Sequence, residues 1–259
     1  MNRVPSAILI TGATSGMGRA LAINYAARGV VLCLQGRDEI RMDTLAIICR
    51  ARGAIVETAL FDVRDRERLV AWVRETEARH ALDLVAICAG ININIGPEGA
   101  GEKWDEVEAL ININITAAMA TVDAIVPSMR RRRTGQIALF SSLAAYHGLP
   151  ITPAYSASKA AMRAYGQALR GWLAPSGVWV NVIMPGFVDS HMCGEFPGAK
   201  PFRWTAERAA KHIARALSHN VANVSFPFPL NFGTWYLSTL PQVIAEKLIR
   251  LFNYTSHRG

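Results

Sequence analysis

Short apolar runs alternate with longer stretches of helical periodicity along most of this chain. Residues 4–10 (VPSAILI), 30–34, 54–60, 84–87, 136–141 and 178–184 are apolar runs of strand length bounded by Gly, Pro or polar residues. The stretches between them read as helices: 16–28, 38–52, 65–80, 102–129 and 155–174. In the 65–80 stretch Leu69, Val70 and Val73 share an apolar side. Pro175 and Gly177 stop the helix that carries Tyr155. Residues 221–226 supply a seventh strand, and a last helix is expected from about Pro241. Strands separated by helices imply an α/β fold: a doubly wound, mainly parallel seven-stranded sheet with helices on both faces. Ligands of such sheets gather at the carboxyl ends of the strands.

The composition is compatible with that plan. A chain of 259 residues, 51% hydrophobic, is sized for one α/β domain with a sizeable core. No linker, internal repeat or low-complexity segment divides residues 1–259. No uninterrupted apolar run reaches eighteen residues, so no membrane-spanning helix is expected. The first apolar run ends in a glycine loop instead of a cleavage site, so no signal peptide is expected. Cys33, Cys49, Cys88 and Cys193 match no disulfide framework and no metal template, which suggests reduced thiols and a cytoplasmic location. The net charge is +8, and its densest run, Arg at 130–133, falls at a helix end where cations complement the macrodipole. A nucleic-acid partner is therefore not expected.

Chemistry enters at the strand ends. The first strand runs into TGATSGMG, a glycine loop that opens a helix. Gly12 suits a tight turn, and Gly16 and Gly18 let a pyrophosphate and the sheet come close to the backbone; Thr14, Ser15 and Met17 complete the loop. The second strand ends at Gln35-Gly36-Arg37. An acidic group there would hold the ribose of NAD, whereas Arg37 suits the 2′-phosphate of NADP(H); Asp38, beyond Arg37, is the competing candidate for NAD and is equally plausible as a helix cap. NADP(H) is therefore expected, with NAD(H) as the second choice. Asp62 and Val63 after the third strand, and Ala89-Gly90 after the fourth, would meet the adenosine.

The stretch SSLAAYHGLPITPAYSASK, 141–159, carries the other group. Tyr155 and Lys159 are four apart and share a helix face. A cation beside a phenol lowers its pKa and suits it to proton transfer. Ser142, upstream of a turn, can hold a substrate oxygen near Tyr155. Asn112 and Asn114 lie inside a predicted helix, where Asn is a poor former; solvent exposure accounts for one of them but hardly both.

Taken in order, Thr11-Gly-x-x-x-Gly16-x-Gly18, Asp62-Val63, Ala89-Gly90, Asn114, Ser142, Tyr155-x-x-x-Lys159 and Pro185-Gly186 make the chain resemble the short-chain dehydrogenase/reductase superfamily, in its short single-domain form. The resemblance covers residues 4 to about 190 and implies a Rossmann-type fold. It also implies an oxidoreductase moving a hydride between nicotinamide and a carbonyl or secondary alcohol, with no metal needed. Tyr155 is then the acid or base, Lys159 holds the nicotinamide ribose, Ser142 polarises the substrate oxygen, and Asn114 supports a water relay at a helix irregularity. Pro185, Gly186, Val188 and Ser190 flank the nicotinamide, Ser190 standing where relatives usually have Thr. The resemblance further implies a homo-oligomer.

Two departures stand out. Cys88 replaces an Asn that braces the cofactor-side strands in many members, and residues 227–259 replace the usual glycine-rich tail. Residues 189–204 are expected to form an apolar substrate lid, with Met192, Phe196, Phe202 and Trp204; Ile91, Ile93 and Ile95 lie nearby, and His147 and His191 add polar contacts. A small hydrophobic carbonyl or alcohol is the expected substrate. In the tail, Val243, Ile244, Leu248, Leu251 and Phe252 recur at helical spacing. Packing on the chain's own core or on a second copy is the first expectation for that helix. A peripheral membrane contact through Trp235, Tyr236 and Phe252 is the second.

Overall fold

A computed structural model describes residues 4–96, 99–196 and 198–251. Its centre is a seven-stranded sheet ordered β3-β2-β1-β4-β5-β6-β7, with every neighbouring pair parallel. The strands are β1 (Ala7–Thr11), β2 (Val31–Gly36), β3 (Ile55–Leu60), β4 (Leu84–Ile87), β5 (Gly135–Phe140), β6 (Val178–Pro185) and β7 (Asn223–Phe226). The expected doubly wound architecture is present, and the sheet is parallel throughout. β1 and β4 to β6 are apolar along nearly their whole length because helices cover both their faces.

The helices are α1 (Gly16–Tyr25), α2 (Glu39–Ala51), α3 (Arg66–His80), α4 (Trp104–Ile111), α5 (Ala117–Arg132), α6 (Pro153–Leu173), α7 (His191–Glu195), α8 (Ala206–Ser218), α9 (Leu230–Leu237) and α10 (Gln242–Leu251). On one face Leu21, Met42, Leu45 and Ile213 of α1, α2 and α8 pack with Ile8 and Leu32. On the other, Leu69, Ile125, Met162 and Leu169 of α3, α5 and α6 pack with Leu9 and Val85. The run from Trp104 to Arg132 is long and apolar enough to span a bilayer, but over half of its most apolar window is buried in this second layer.

One helix expectation needs correction. The 102–129 stretch is not a single regular helix: a π-helical turn, Asn112–Thr116, separates α4 from α5. The extra residue in that turn changes the helix phase and lets Asn114 point inward, 2% exposed, while Asn112 stays partly exposed. Asn112 and Asn114 thus have different environments, as their sequence position demanded. The tail also differs from expectation by containing a further helix, α9, ahead of α10. Phe252 lies outside the described residues.

Candidate active site

The carboxyl ends of β1, β4, β5 and β6 face two cavities that meet at Gly90. The smaller, about 100 Å³, is lined by Gly12, Thr14, Ser15, Gly36, Arg37, Asp62, Val63 and Ala89 among others. Its floor depends on glycine. Gly12 has φ +64, and a Cβ there would sit 2.8 Å from the Ala89 Cα. At Gly18 a Cβ would run into the Gly12 carbonyl, so α1 begins tight against the loop. The α1 N-terminus opens at Ser15, whose side chain makes no capping hydrogen bond, leaving the first helical amides for an anion. A backbone cradle that side chains would fill, at a helix start, fits the pyrophosphate of a dinucleotide.

Gln35 braces these loops where Cys88 stands in place of the family's Asn. It is 1% exposed. Its Oε1 accepts from the Gly12 amide at 3.1 Å, and its Nε2 donates to the Phe61 carbonyl at 2.6 Å. Thr11 Oγ1 adds an acceptor for the Ala89 amide at 3.2 Å. The loops after β1, β3 and β4 are thereby tied together without the Asn. Nothing in the composition of Gln35-Gly36 announced this, because its partners are backbone atoms distant in sequence.

At the outer end of this cavity Arg37 reaches Asp62 at 3.2 Å, and Arg64 holds the same carboxylate at 2.8 Å. The Arg64 hydrogen bond, helped by Arg37, brings the Asp62 carboxyl down to about 2. Asp62 stays ionised and pins both guanidiniums at the rim. Arg64 is thus a second cation beside Arg37 that the sequence reading did not single out. Asp38 caps α2 by accepting from the Arg41 amide at 2.9 Å, one of the two roles its sequence position left open.

The larger cavity, about 180 Å³, holds the candidate chemistry. Ser142, Tyr155, Lys159, Gly90, Met17, Pro185, Gly186, Val188 and Ser190 all contribute to its wall. Lys159 Nζ donates to the Phe140 carbonyl at 3.0 Å and lies 5.4 Å from the centroid of the Tyr155 ring. Burial moves its pKa down to about 8. Burial also pushes the Tyr155 phenol up to about 12, with a hydrogen bond from Ser142 opposing the rise. The cation beside the phenol therefore does not give a depressed tyrosine pKa; desolvation wins. The phenol is protonated at neutral pH and suited to giving a proton to a developing alkoxide.

Asn114 is locked in place. Its Oδ1 accepts from the Ile91 amide at 2.9 Å, and its Nδ2 donates to the Ile91 carbonyl at 3.0 Å and to Ser158 Oγ at 3.1 Å. Ser158 Oγ in turn donates to the Tyr155 carbonyl at 2.8 Å. The π-helical turn thus bonds both to the strip after β4 and to the helix that carries Tyr155 and Lys159. Ser190 caps α7, accepting from the Cys193 amide at 3.1 Å, and its Cβ lies 3.3 Å from where a Cβ on Gly16 would be. The loop after β6 therefore closes against the glycine loop.

A match to the short-chain dehydrogenase family model spans residues 6–200. The chain belongs to this family. It is an NAD(P)-dependent oxidoreductase of the short-chain dehydrogenase/reductase superfamily. An uncharacterized oxidoreductase of Myxococcus xanthus is 34% identical, over 93% of this chain and 95% of that protein. An 11-beta-hydroxysteroid dehydrogenase-like protein of Arabidopsis thaliana is 29% identical, over 93% of this chain and 82% of its own length. Among solved structures, a short-chain dehydrogenase from Sphingobium yanoikuyae in complex with NADPH superposes with a TM-score of 0.79. It is 25% identical and the match covers 91% of this chain and 96% of that one.

Within this family member the substrate side departs from expectation in several places. Met192, Phe196 and His147 line the larger cavity. Trp204 does not: it stacks on Phe226 at 5.0 Å and its backbone pairs with Phe187 and Asp189. Phe202 is 55% exposed, and His191 is an exposed partner of Glu195. The apolar residues of 189–204 thus divide between cavity, core and surface. Of the loop after β4 it is Asn92 that enters the larger cavity wall; Ile91 faces the smaller one and Ile93 is buried.

The tail supplies the missing wall. Leu230, Thr234 and Leu237 of α9 and Ile249 of α10 line the same cavity. Ile249 and Leu237 pack with Ile151 and Phe196, and Leu230 packs with Leu143. The tail lies close to Gly186, where a Cβ would meet Leu230 Cδ2 at 3.0 Å. The terminal segment therefore packs on its own core, the first of the two expectations, and its outer face leaves Phe232, Trp235, Tyr236 and Val243 exposed.

Proposed function

We propose that this protein is an NADP(H)-preferring oxidoreductase acting on a small hydrophobic ketone, aldehyde or secondary alcohol, with Tyr155 as the acid or base. The observation that carries the reading is the larger cavity: Ser142, Tyr155 and Lys159 converge in a chamber walled largely by apolar side chains such as Leu143, Leu149, Phe187, Phe196, Leu230 and Leu237, with Asn92, His147 and Thr234 as further polar points. A mostly apolar wall around a few polar groups favours a substrate with a reactive oxygen and an apolar body. The Arabidopsis relative's steroid-dehydrogenase name is in keeping with such a substrate.

When bound, the nicotinamide supplies or accepts the hydride. The chain's own residues do the rest. In reduction, Ser142 Oγ holds the substrate oxygen, and Tyr155 gives that oxygen its phenolic proton. Lys159, charged below about 8, would hold the nicotinamide ribose and favour the phenolate left behind. In oxidation the Tyr155 oxygen takes the proton back. Asn114 fixes the strip after β4 against α6, so that Gly90 and the Tyr155–Lys159 face keep their spacing.

NADP(H) preference rests on Arg37 in the wall of the smaller cavity, with Arg64 beside it on the same carboxylate; of the acidic groups nearby, Asp38 caps α2 and Asp62 is held by both guanidiniums. The test is a panel of carbonyls and alcohols of graded size, run with both cofactors and followed at the nicotinamide absorbance. Turnover should be found with apolar members of the panel and NADPH. Turnover confined to polar sugars or acids, or none at all, would sink the reading. Arg37→Ala should raise the KM for NADPH by about tenfold, the value of one charge-assisted contact, and leave that for NADH nearly unchanged. The opposite ranking would overturn the NADP(H) assignment.

A pH profile follows from Lys159. Its pKa is lowered to about 8, so it is charged below that value and neutral above it. The kcat/KM for NADPH reports groups of the free enzyme. It should be level below about pH 7 and fall as pH rises through about 8. A profile flat to pH 10 would show that the charge on Lys159 is not used.

A further inference from the structure

Away from the site, on the α3 side of the sheet, three side chains of different donor type converge. Cys33 of β2 and Glu57 of β3 are direct neighbours in the parallel register, so their side chains leave the sheet on one face. His80, the last residue of α3, comes down on the same point. The Cys33 sulfur, a Glu57 oxygen and a His80 ring nitrogen all lie within 4.8 Å of one another. Glu57 Oε1 and His80 Nε2 are 2.7 Å apart, and Arg79 holds the other Glu57 oxygen at 2.9 Å.

We propose that Cys33, Glu57 and His80 form a binding site for a borderline-soft divalent cation, zinc being the best fit. The donor set argues for that class. Thiolate, imidazole and carboxylate together suit zinc, whereas magnesium and calcium take oxygen ligands. Three protein ligands leave a fourth position for water on the solvent side, where Glu57 and His80 are partly exposed. Arg79 orients the carboxylate from behind: with Oε2 engaged, Oε1 is turned toward His80 and the sulfur. The bond made is sulfur to metal; the bond broken is S–H, whose proton leaves to solvent.

An ion pair alone would need only Glu57 with Arg79 or His80. It does not call for a thiol at the same point. Cys33 is fully buried, with apolar neighbours from β1 and α3 on its inner side, so the sulfur closes the site from within. A cation held here would clip β2, β3 and the end of α3 together. Those two strands end at Arg37 and Asp62, so the clip would brace the adenosine end of the cofactor site.

Cobalt titration of the reduced full-length protein tests this. One equivalent of Co²⁺ should produce a thiolate-to-cobalt charge-transfer band in the near ultraviolet together with the visible bands of a tetrahedral centre, and Zn²⁺ should bleach both. Cys33→Ser should remove the charge-transfer band, while Cys88→Ser and Cys49→Ser keep it. His80→Gln, at the partly exposed end of α3, disturbs the core least and should weaken Co²⁺ more than about tenfold. Zn²⁺ should raise the melting temperature of the wild type and not of His80→Gln. Absence of the charge-transfer band, its survival in Cys33→Ser, or unchanged affinity in His80→Gln would each overturn the proposal.

Discussion

Tyr155→Phe should lower kcat by about 10³-fold or more while leaving the affinity for NADPH within about threefold of wild type. The size follows from what is removed. The phenol is partly buried, protonated at neutral pH and hydrogen-bonded by Ser142; the other titratable group that α6 brings to this cavity among the described residues, Lys159, would hold the nicotinamide ribose. His147 lines the same wall, but it stands before the turn that leads into α6 and makes no hydrogen bond to Ser142 or Tyr155 among the described contacts. Loss of general acid–base help alone is worth about 10² to 10⁴. Affinity should survive because the residues that would hold the pyrophosphate and adenosine, Gly12, Gly18, Arg37 and Asp62, lie in the other cavity or beneath it. Stability should survive as well. Ser142 keeps its acceptance from the Ala144 amide at 3.2 Å, so deleting the phenol oxygen strands no strong partner. Single-turnover mixing with a substrate from the carbonyl panel gives the chemical step, and nicotinamide fluorescence gives the affinity. A variant that retains more than a tenth of wild-type turnover would move the proton-transfer role to another group.

The sheet and most of this site were legible because they are written in local pattern. Apolar runs of four to eight residues bounded by breakers mark strands, and a glycine loop between a strand and a helix marks a phosphate cradle. Asn114 was legible for the opposite reason: a residue that disfavours helix interiors sat in one, and the structure answers with a π-helical turn and three hydrogen bonds. What was not legible rests on partners far away in sequence. Gln35 acts through the backbone of Gly12 and Phe61. Trp204 looked like a lid residue by composition, yet it faces Phe226 of β7, and direction is not encoded in hydrophobicity. The periodicity of the tail predicts a helix that packs on the chain's own core or on a second copy, but not where. Ile249 of α10 meets Ile151 and Phe196, and Leu230 of α9 meets Leu143, contacts that no periodicity in residues 227–259 reveals. The balance at Tyr155 was also out of reach: spacing places a cation beside a phenol, but only burial decides which effect is larger.

Gly12→Ala should weaken NADPH and NADH alike, by about tenfold or more, and this equality separates it from Arg37→Ala. Two costs combine. Gly12 is at φ +64, where an L-residue loses about 1–2 kcal/mol relative to glycine. The added methyl would also lie 2.8 Å from the Ala89 Cα and 2.9 Å from its nitrogen. Those are backbone atoms of the strip after β4, and they cannot rotate away as a side-chain tip can. Either the glycine loop lifts or Ala89 recedes, and the Thr11–Ala89 hydrogen bond at 3.2 Å stretches with it. Both movements act where the two cavities meet at Gly90, upstream of any discrimination at the ribose. The loss therefore falls on the part of the dinucleotide that both cofactors share. Urea unfolding should report about 2 kcal/mol of lost stability with an unchanged m-value, while the Tyr155–Lys159 face on α6 stays intact. If the variant bound NADH normally and lost only NADPH, the Gly12 turn would be reading the phosphate at the ribose instead of seating the pyrophosphate, and the assignment of the glycine loop would fail.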